Sequence, residues 1–181
     1  MARAAVPDYV GRDFSQAPPG HRFNLYFETW QDNWTLDGTQ KAQALRRTLD
    51  CKPAADLLRG LRERQNRLAE AVPAECRMVI DVKSTAPFAT GLGLEHPVEN
   101  GFAFLGPYGV PYLAGSGVKG VLRRAAEELR DDGAAGVDQA FIDMLFGSDD
   151  AAAPRRGALS FWDVFPLPAG DRLVVEIMTA H

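Results

Sequence analysis

Cysteine is nearly absent from this chain: Cys51 and Cys76 are the only two in 181 residues. They stand in no recognisable motif, which argues against a disulfide framework and fits free thiols in a reducing cytosol. Histidine is as scarce. His21, His96 and His181 are the full set, and none has a second histidine or cysteine at ligand spacing, so no zinc site is expected. No apolar run approaches the roughly 20 residues that span a bilayer. The start, Met-Ala-Arg-Ala-Ala-Val-Pro-Asp, carries no apolar core of the kind that directs secretion. A soluble cytoplasmic protein without membrane contact is therefore expected. Overall basic charge is lacking too. The formal net charge is −4 and the pI about 5.4, so the chain does not announce nucleic-acid binding through its average composition.

What is present is the composition of a globular protein, 46% hydrophobic and 24% charged, of a length that suits one domain or one and a piece. The average charge hides a split. Residues 41–67 hold eight basic and three acidic side chains, a balance of +5, whereas residues 131–150 hold six aspartates and no cation. Charge segregated in this way suits one nucleic-acid-facing surface and one that avoids it; two solvated helix faces are the plainer reading.

Residues 1–22, with Pro7, Pro18, Pro19 and Gly20, read as an irregular arm. Residues 23–34 are rich in aromatics (Phe23, Tyr26, Phe27, Trp30, Trp34) and suit a short strand or a docked extended segment, its rings buried in the core or stacked on bases. Helices are expected over 39–49 and 54–71, the second bounded by Pro53 and Pro73 and burying Leu57, Leu58, Leu61 and Leu68. The β-branched run Arg77-Met-Val-Ile-Asp-Val-Lys-Ser84 is the clearest strand start. A long loop over 85–111 follows, with a short strand at 102–105. Then come helices over 117–130 and 137–146 and strands over 158–164 and 172–178, the last two joined by a turn at Pro168-Ala-Gly-Asp171 into a hairpin.

The most informative stretch is Tyr108-Gly-Val-Pro-Tyr-Leu-Ala-Gly-Ser-Gly-Val-Lys-Gly-Val-Leu-Arg-Arg124. It reads as a turn, a glycine-rich loop and the first turns of an amphipathic helix whose apolar face is Val118, Val121, Leu122, Ala125, Ala126 and Leu129. Ser116 is the candidate N-cap. Lys119 lies in the first turn, where the helix dipole already disfavours a cation; free amides, dipole and lysine together make sense if an anion such as a phosphate binds there. A loop that only turns the chain, with Lys119 solvated, is the competing reading. The run is not a Walker A motif, because Gly120 follows Lys119 where serine or threonine is needed. Gly115, Gly117 and Gly120 match the dinucleotide-fingerprint spacing, but Pro107, Gly109 and Pro111 make the required preceding strand improbable.

Pro111-Tyr-Leu-Ala-Gly-Ser-Gly-Val-Lys-Gly-Val-Leu-Arg123 resembles the signature of the RAMP superfamily, the RNA-binding subunits of CRISPR effector complexes, whose form is close to Pro-Tyr-Ile-Pro-Gly-Ser-Ser-Leu-Lys-Gly-Ala-Leu-Arg. Ala114 replaces the usual proline and Gly117 the usual serine, which leaves the loop more flexible. Within the superfamily, Gly91-Leu-Gly-Leu-Glu-His-Pro-Val-Glu-Asn-Gly-Phe102 is similar to the loop before the signature in the sixth-subunit family of the type III-B (Cmr) complex. Leu145-Phe-Gly147 with Gly157-Ala-Leu-Ser-Phe-Trp-Asp163 resembles the family's Phe-Gly…Gly-x-Leu-x-Phe-x-Asp segment, and Met178-Thr-Ala-His181 its ending.

The resemblance implies an α+β, ferredoxin-like (RNA-recognition-motif-like) fold over residues 77–181, preceded by an N-terminal arm and helical extension over 1–76. The order strand, helix, strand, strand covers the first two-thirds of βαββαβ. The C-terminal helix and strand are then lacking, which makes a truncated or split product, or a partner supplying the rest, the expectation. Implied partners are guide (CRISPR) RNA, its target RNA and other RAMP subunits. No cofactor, metal or catalytic residue is implied. The candidate RNA-binding residues are Gly115, Ser116, Gly117, Lys119, Gly120, Arg123, Arg124 and His96. Two alternatives stand beside this: a metal-independent RNA endoribonuclease using His96 as acid or base, and a protein-interaction module that never touches RNA. His96 also suits a purely structural hydrogen bond, and Asp81 and Asp163 read as structural.

Overall fold

The computed structural model describes residues 2–148, 150, 152 and 154–175. It is a mixed α+β structure of helices and small antiparallel sheets. The chain divides into two units, Met1–Tyr112 with Phe165–His181, and Leu113–Val164.

In the first unit, α1 (Pro19–Asn24) begins inside the stretch expected to be an irregular arm. Pro19 at its first position explains the start, since its fixed φ suits a helix and its missing N–H is not needed there. The helix turns Phe23 inward, and the chain after it buries Phe27. These rings form a core with Ala44 and Val98, flanked by Phe102 and Phe104, so burial rather than base stacking is the role of Phe23 and Phe27. Tyr26 and Trp30 are half-buried, and Trp34 is exposed, with the Arg3 guanidinium 4.2 Å from its ring.

Helices α2 (Lys41–Arg47) and α3 (Ala55–Glu70) lie where the periodicity places them. The stripe of α3 is narrower than expected. Leu58 and Leu61 are buried beside Ala54 and Val110, whereas Leu57 and Leu68 are exposed. Arg22, on α1, is buried and closes this region: its guanidinium donates to the carbonyls of Arg47, at 2.7 Å, and Asp50. A cation on the last carbonyl of α2 satisfies a group that the helix leaves orphaned and is favoured by the negative end of its dipole.

Residues 77–84 correct an expectation: they form no strand. Met78, Val79, Ile80 and Val82 are all exposed. β-Propensity describes fitness for a pleated, half-buried surface, and it produces a strand only where a partner ladder exists. None pairs with this segment among the described residues. The strands that do form are two residues each. β1 (Phe104–Leu105) pairs antiparallel with β2 (Val110–Pro111). β2 lies directly before the glycine-rich loop, where the prolines and glycine had argued against a strand; Pro111 is tolerated because the ladder is only two residues long.

In the second unit, α4 (Gly115–Asp131) packs with α5 (Gln139–Phe146). Asp138 caps α5, its carboxylate accepting from the Phe141 amide at 2.8 Å. Ile142 and Phe146 turn inward, and Phe146 stacks on Phe161. β3 (Gly147–Ser148) pairs antiparallel with β4 (Arg155–Arg156). Residues 158–164 are not a strand beyond one bridge at Val164. The reason is local: the amides of Ala158 and Leu159 are spent on the terminal carbonyls of α5, Met144 and Leu145, at 2.8 and 3.1 Å. Gly157 permits that approach, since a Cβ there would fall 2.4 Å from the Leu145 carbonyl oxygen. In the first unit, Arg172 bridges Asp50, and residues 173–175 add no strand. The remainder of the 172–178 expectation, and the ending at His181, lie outside the described residues.

Candidate nucleic-acid interface

The glycine-rich loop is tied to residues 163 and 164. Leu113 and Val164 exchange two backbone hydrogen bonds, both 2.9 Å. Two residues on, the Gly115 amide donates to Asp163 Oδ1 at 2.8 Å. Gly115 itself is buried, and a Cβ there would lie 2.3 Å from the Phe161 carbonyl oxygen. Glycine at 115 is thus required by close backbone approach.

These contacts move the cap. Ala114, extended at φ −61° and ψ 134°, is the N-cap of α4, and its carbonyl accepts from Gly117 and Val118. Ser116 is one residue inside the helix, exposed, and caps nothing. The anion that the helix N-terminus favours is in part already supplied, by the Asp163 carboxylate. Among the described residues, the Ser116 amide is the first-turn donor that remains without a partner. Its hydroxyl lies beside it.

Gly117 and Gly120 differ from Gly115. Both lie within the helix, and a Cβ at either would meet nothing within 4 Å. Neither has a positive φ. Each costs the helix about 0.5–1 kcal/mol relative to alanine, with no steric need inside the protein. At spacing i, i+3 they share a face, which Arg124 joins one turn further on. Bare backbone in that stripe is open to close approach by an outside group. Lys119 is half-buried in the next turn.

The two arginines part company. Arg123 is largely buried, ion-paired to Glu127 at 3.2 Å and donating to the Gly147 carbonyl at 3.2 Å. It ties α4 to the end of α5. Arg124 is exposed and lies near Glu127 and Glu128, at 3.5 and 3.3 Å, pairs that water weakens.

His96 lies in the other unit. Its ring stacks on Phe23 at 3.8 Å between centroids. Nε2 is 2.9 Å from the Phe23 carbonyl and Nδ1 accepts from the Val98 amide at 3.2 Å. A neutral ring donating from Nε2 satisfies both. Burial also holds its pKa below the ordinary value. The ring therefore pins the 91–101 loop onto α1, and both nitrogens are occupied in doing so.

A family model described as the RAMP superfamily matches residues 81–176, which takes in the whole of α4, the loop before it and Asp163. The chain belongs to the RAMP superfamily. Membership makes it a CRISPR-associated protein, and RNA binding is the role the superfamily suggests. CRISPR RNA and other Cas subunits are, in general terms, the partners it implies. No curated protein and no solved structure gives a match. Among the described residues, no helix of this RAMP protein is long and apolar enough to cross a membrane. Asp163, read from the sequence as structural, holds the start of α4 through the Gly115 amide. Its place in the Gly-x-Leu-x-Phe-x-Asp segment was the available signal, but only the folded chain brings that carboxylate to the amide of Gly115.

Proposed function

We propose that this RAMP protein is a non-catalytic, RNA-binding backbone subunit of a type III-B (Cmr) CRISPR surveillance complex, built on a ferredoxin-like RAMP domain and holding the 3′ part of the guide RNA. The observation that carries this reading is the open glycine stripe at Gly117 and Gly120, which Arg124 continues, at the helix end that also carries Ser116 and Lys119. RNA backbone brings phosphates to the Ser116 amide and the Lys119 ammonium, and such contacts position a strand without specifying its sequence. Arg123 and Gly115 act beneath this surface by fixing α4 and its loop. In the other unit, His96 holds the 91–101 loop in shape.

The endoribonuclease alternative asks His96 to exchange a proton with RNA, and the two hydrogen bonds on its ring oppose that. Incubating the protein with repeat RNA in EDTA tests it; cleavage that vanishes in His96→Gln would establish the enzyme. For the leading reading, Lys119→Ala is expected to weaken binding of single-stranded RNA and to reduce the slope of log K against log salt by about 0.7, the share of one phosphate. An unchanged slope removes Lys119 from the interface.

A further inference from the structure

A second surface lies on α3, in the unit that does not hold α4. A cleft of about 360 Å³ opens between α3 and the 167–171 turn. Its floor is apolar, made of Leu58 and Cys51, both almost wholly buried. Burial pushes the Cys51 thiol up to about 11, so that floor is uncharged at neutral pH. One wall is cationic. Arg59 and Arg62 line it one helical turn apart, with Asn66 following on the same face. Arg62 forms no ion pair among the described residues, and the Arg59–Asp56 pair, 2.9 Å apart, is exposed on both sides and weak. Two carboxylates, Glu63 and Asp171, also face the cleft.

We propose that this groove binds a segment of single-stranded RNA, with Arg59 and Arg62 on its phosphates. Glu63, Asp171 and Asn66 face the ribose hydroxyl and the base amino groups. The mixed lining decides between ligands. Carboxylates would repel an isolated anion, whereas a nucleotide carries an anionic phosphate and, on the same unit, hydroxyl and amino donors that carboxylates accept from. The volume falls in the range of small-ligand sites, large enough for one nucleotide rather than a folded partner. The surrounding residues 41–67 carry a balance of +5, a local field that attracts a polyanion to a protein whose net charge is −4. This inference rests on the RNA-binding reading above but names a different surface for it.

The test uses the full chain and a fluorescently labelled single-stranded RNA, with anisotropy measured across a salt series. The Arg59→Gln, Arg62→Gln double variant keeps good helix formers at both positions, and its melting temperature checks the fold. Binding is expected to weaken about tenfold, with the salt slope reduced by about 1.4, the share of two phosphates. That loss should add to the loss from Lys119→Ala. A photo-crosslinking RNA should label the peptide spanning 55–67. Equal affinity and slope in the wild type and the double variant, with no label on that peptide, overturn the groove while leaving RNA binding by the protein intact. A wild-type chain that binds no RNA even at low salt overturns both readings together.

Discussion

Single residues decide how the site is held, and His96 shows it most clearly. Both ring nitrogens serve the fold only when the ring is neutral, because protonation removes the acceptor that receives the Val98 amide. Its folded pKa lies below the ordinary 6.5, with burial the larger cause and the Phe23 carbonyl partly opposing it. The unfolded chain therefore binds the proton more readily than the folded one. Stability from this residue is complete above about 6.5 and is lost as pH falls from there through the depressed folded value. Thermal melts between pH 8 and 5 should show that decline in the wild type and a flatter profile in His96→Gln. Parallel profiles would mean that His96 does not report on folding. The sequence marked His96 as notable and left its role open between chemistry and structure. A stacked partner 73 residues away is not visible in a local pattern. The same holds for Arg22, an ordinary arginine in a proline-rich arm until α2 and Asp50 supply its acceptors.

At the scale of the element, α4 has two kinds of glycine, and they respond oppositely to substitution. Gly115→Ala drives a methyl into the Phe161 carbonyl and should be destabilising. Gly120→Ala fills empty space on an exposed helix turn and should stabilise the protein by about 0.5–1 kcal/mol, through propensity alone. If RNA approaches that bare backbone, the same change weakens RNA binding. Stability and affinity then move in opposite directions, which chemical denaturation and anisotropy read separately. A variant that gains stability and keeps full affinity would take Gly120 out of the interface. Helices α3 and α4 were legible because proline boundaries and a 3.6-residue apolar period are local properties of the chain. The cap was misplaced by two residues, since Asp163 and Val164, far along the chain, fix where the helix begins. Residues 77–84 and 158–164 show the limit for strands. The first has the right side chains and no partner among the described residues. The second spends its first amides on the end of α5.

For the whole molecule, each unit presents apolar side chains to solvent. In the second unit, Val121 and Leu129 on α4 are 71% and 52% exposed. In the first, Met78 to Val82 contribute a comparable run. Exposed apolar side chains that meet in one patch mark a surface for other molecules, and singly scattered ones do not. The consequence for the isolated chain is measurable. At neutral pH it should bind a hydrophobic dye while still melting cooperatively and keeping its near-ultraviolet circular dichroism, which separates it from a molten globule. Val121→Ser with Leu129→Ser should lower the dye signal and change stability by no more than about 0.5 kcal/mol per site, the usual range for surface positions. Ile142→Ala, at a fully buried site in the same unit, should cost about 2–5 kcal/mol by the same assay. If the α4 pair costs as much as Ile142, its side chains are packed in solution, and the exposed face belongs to the interior of the protein.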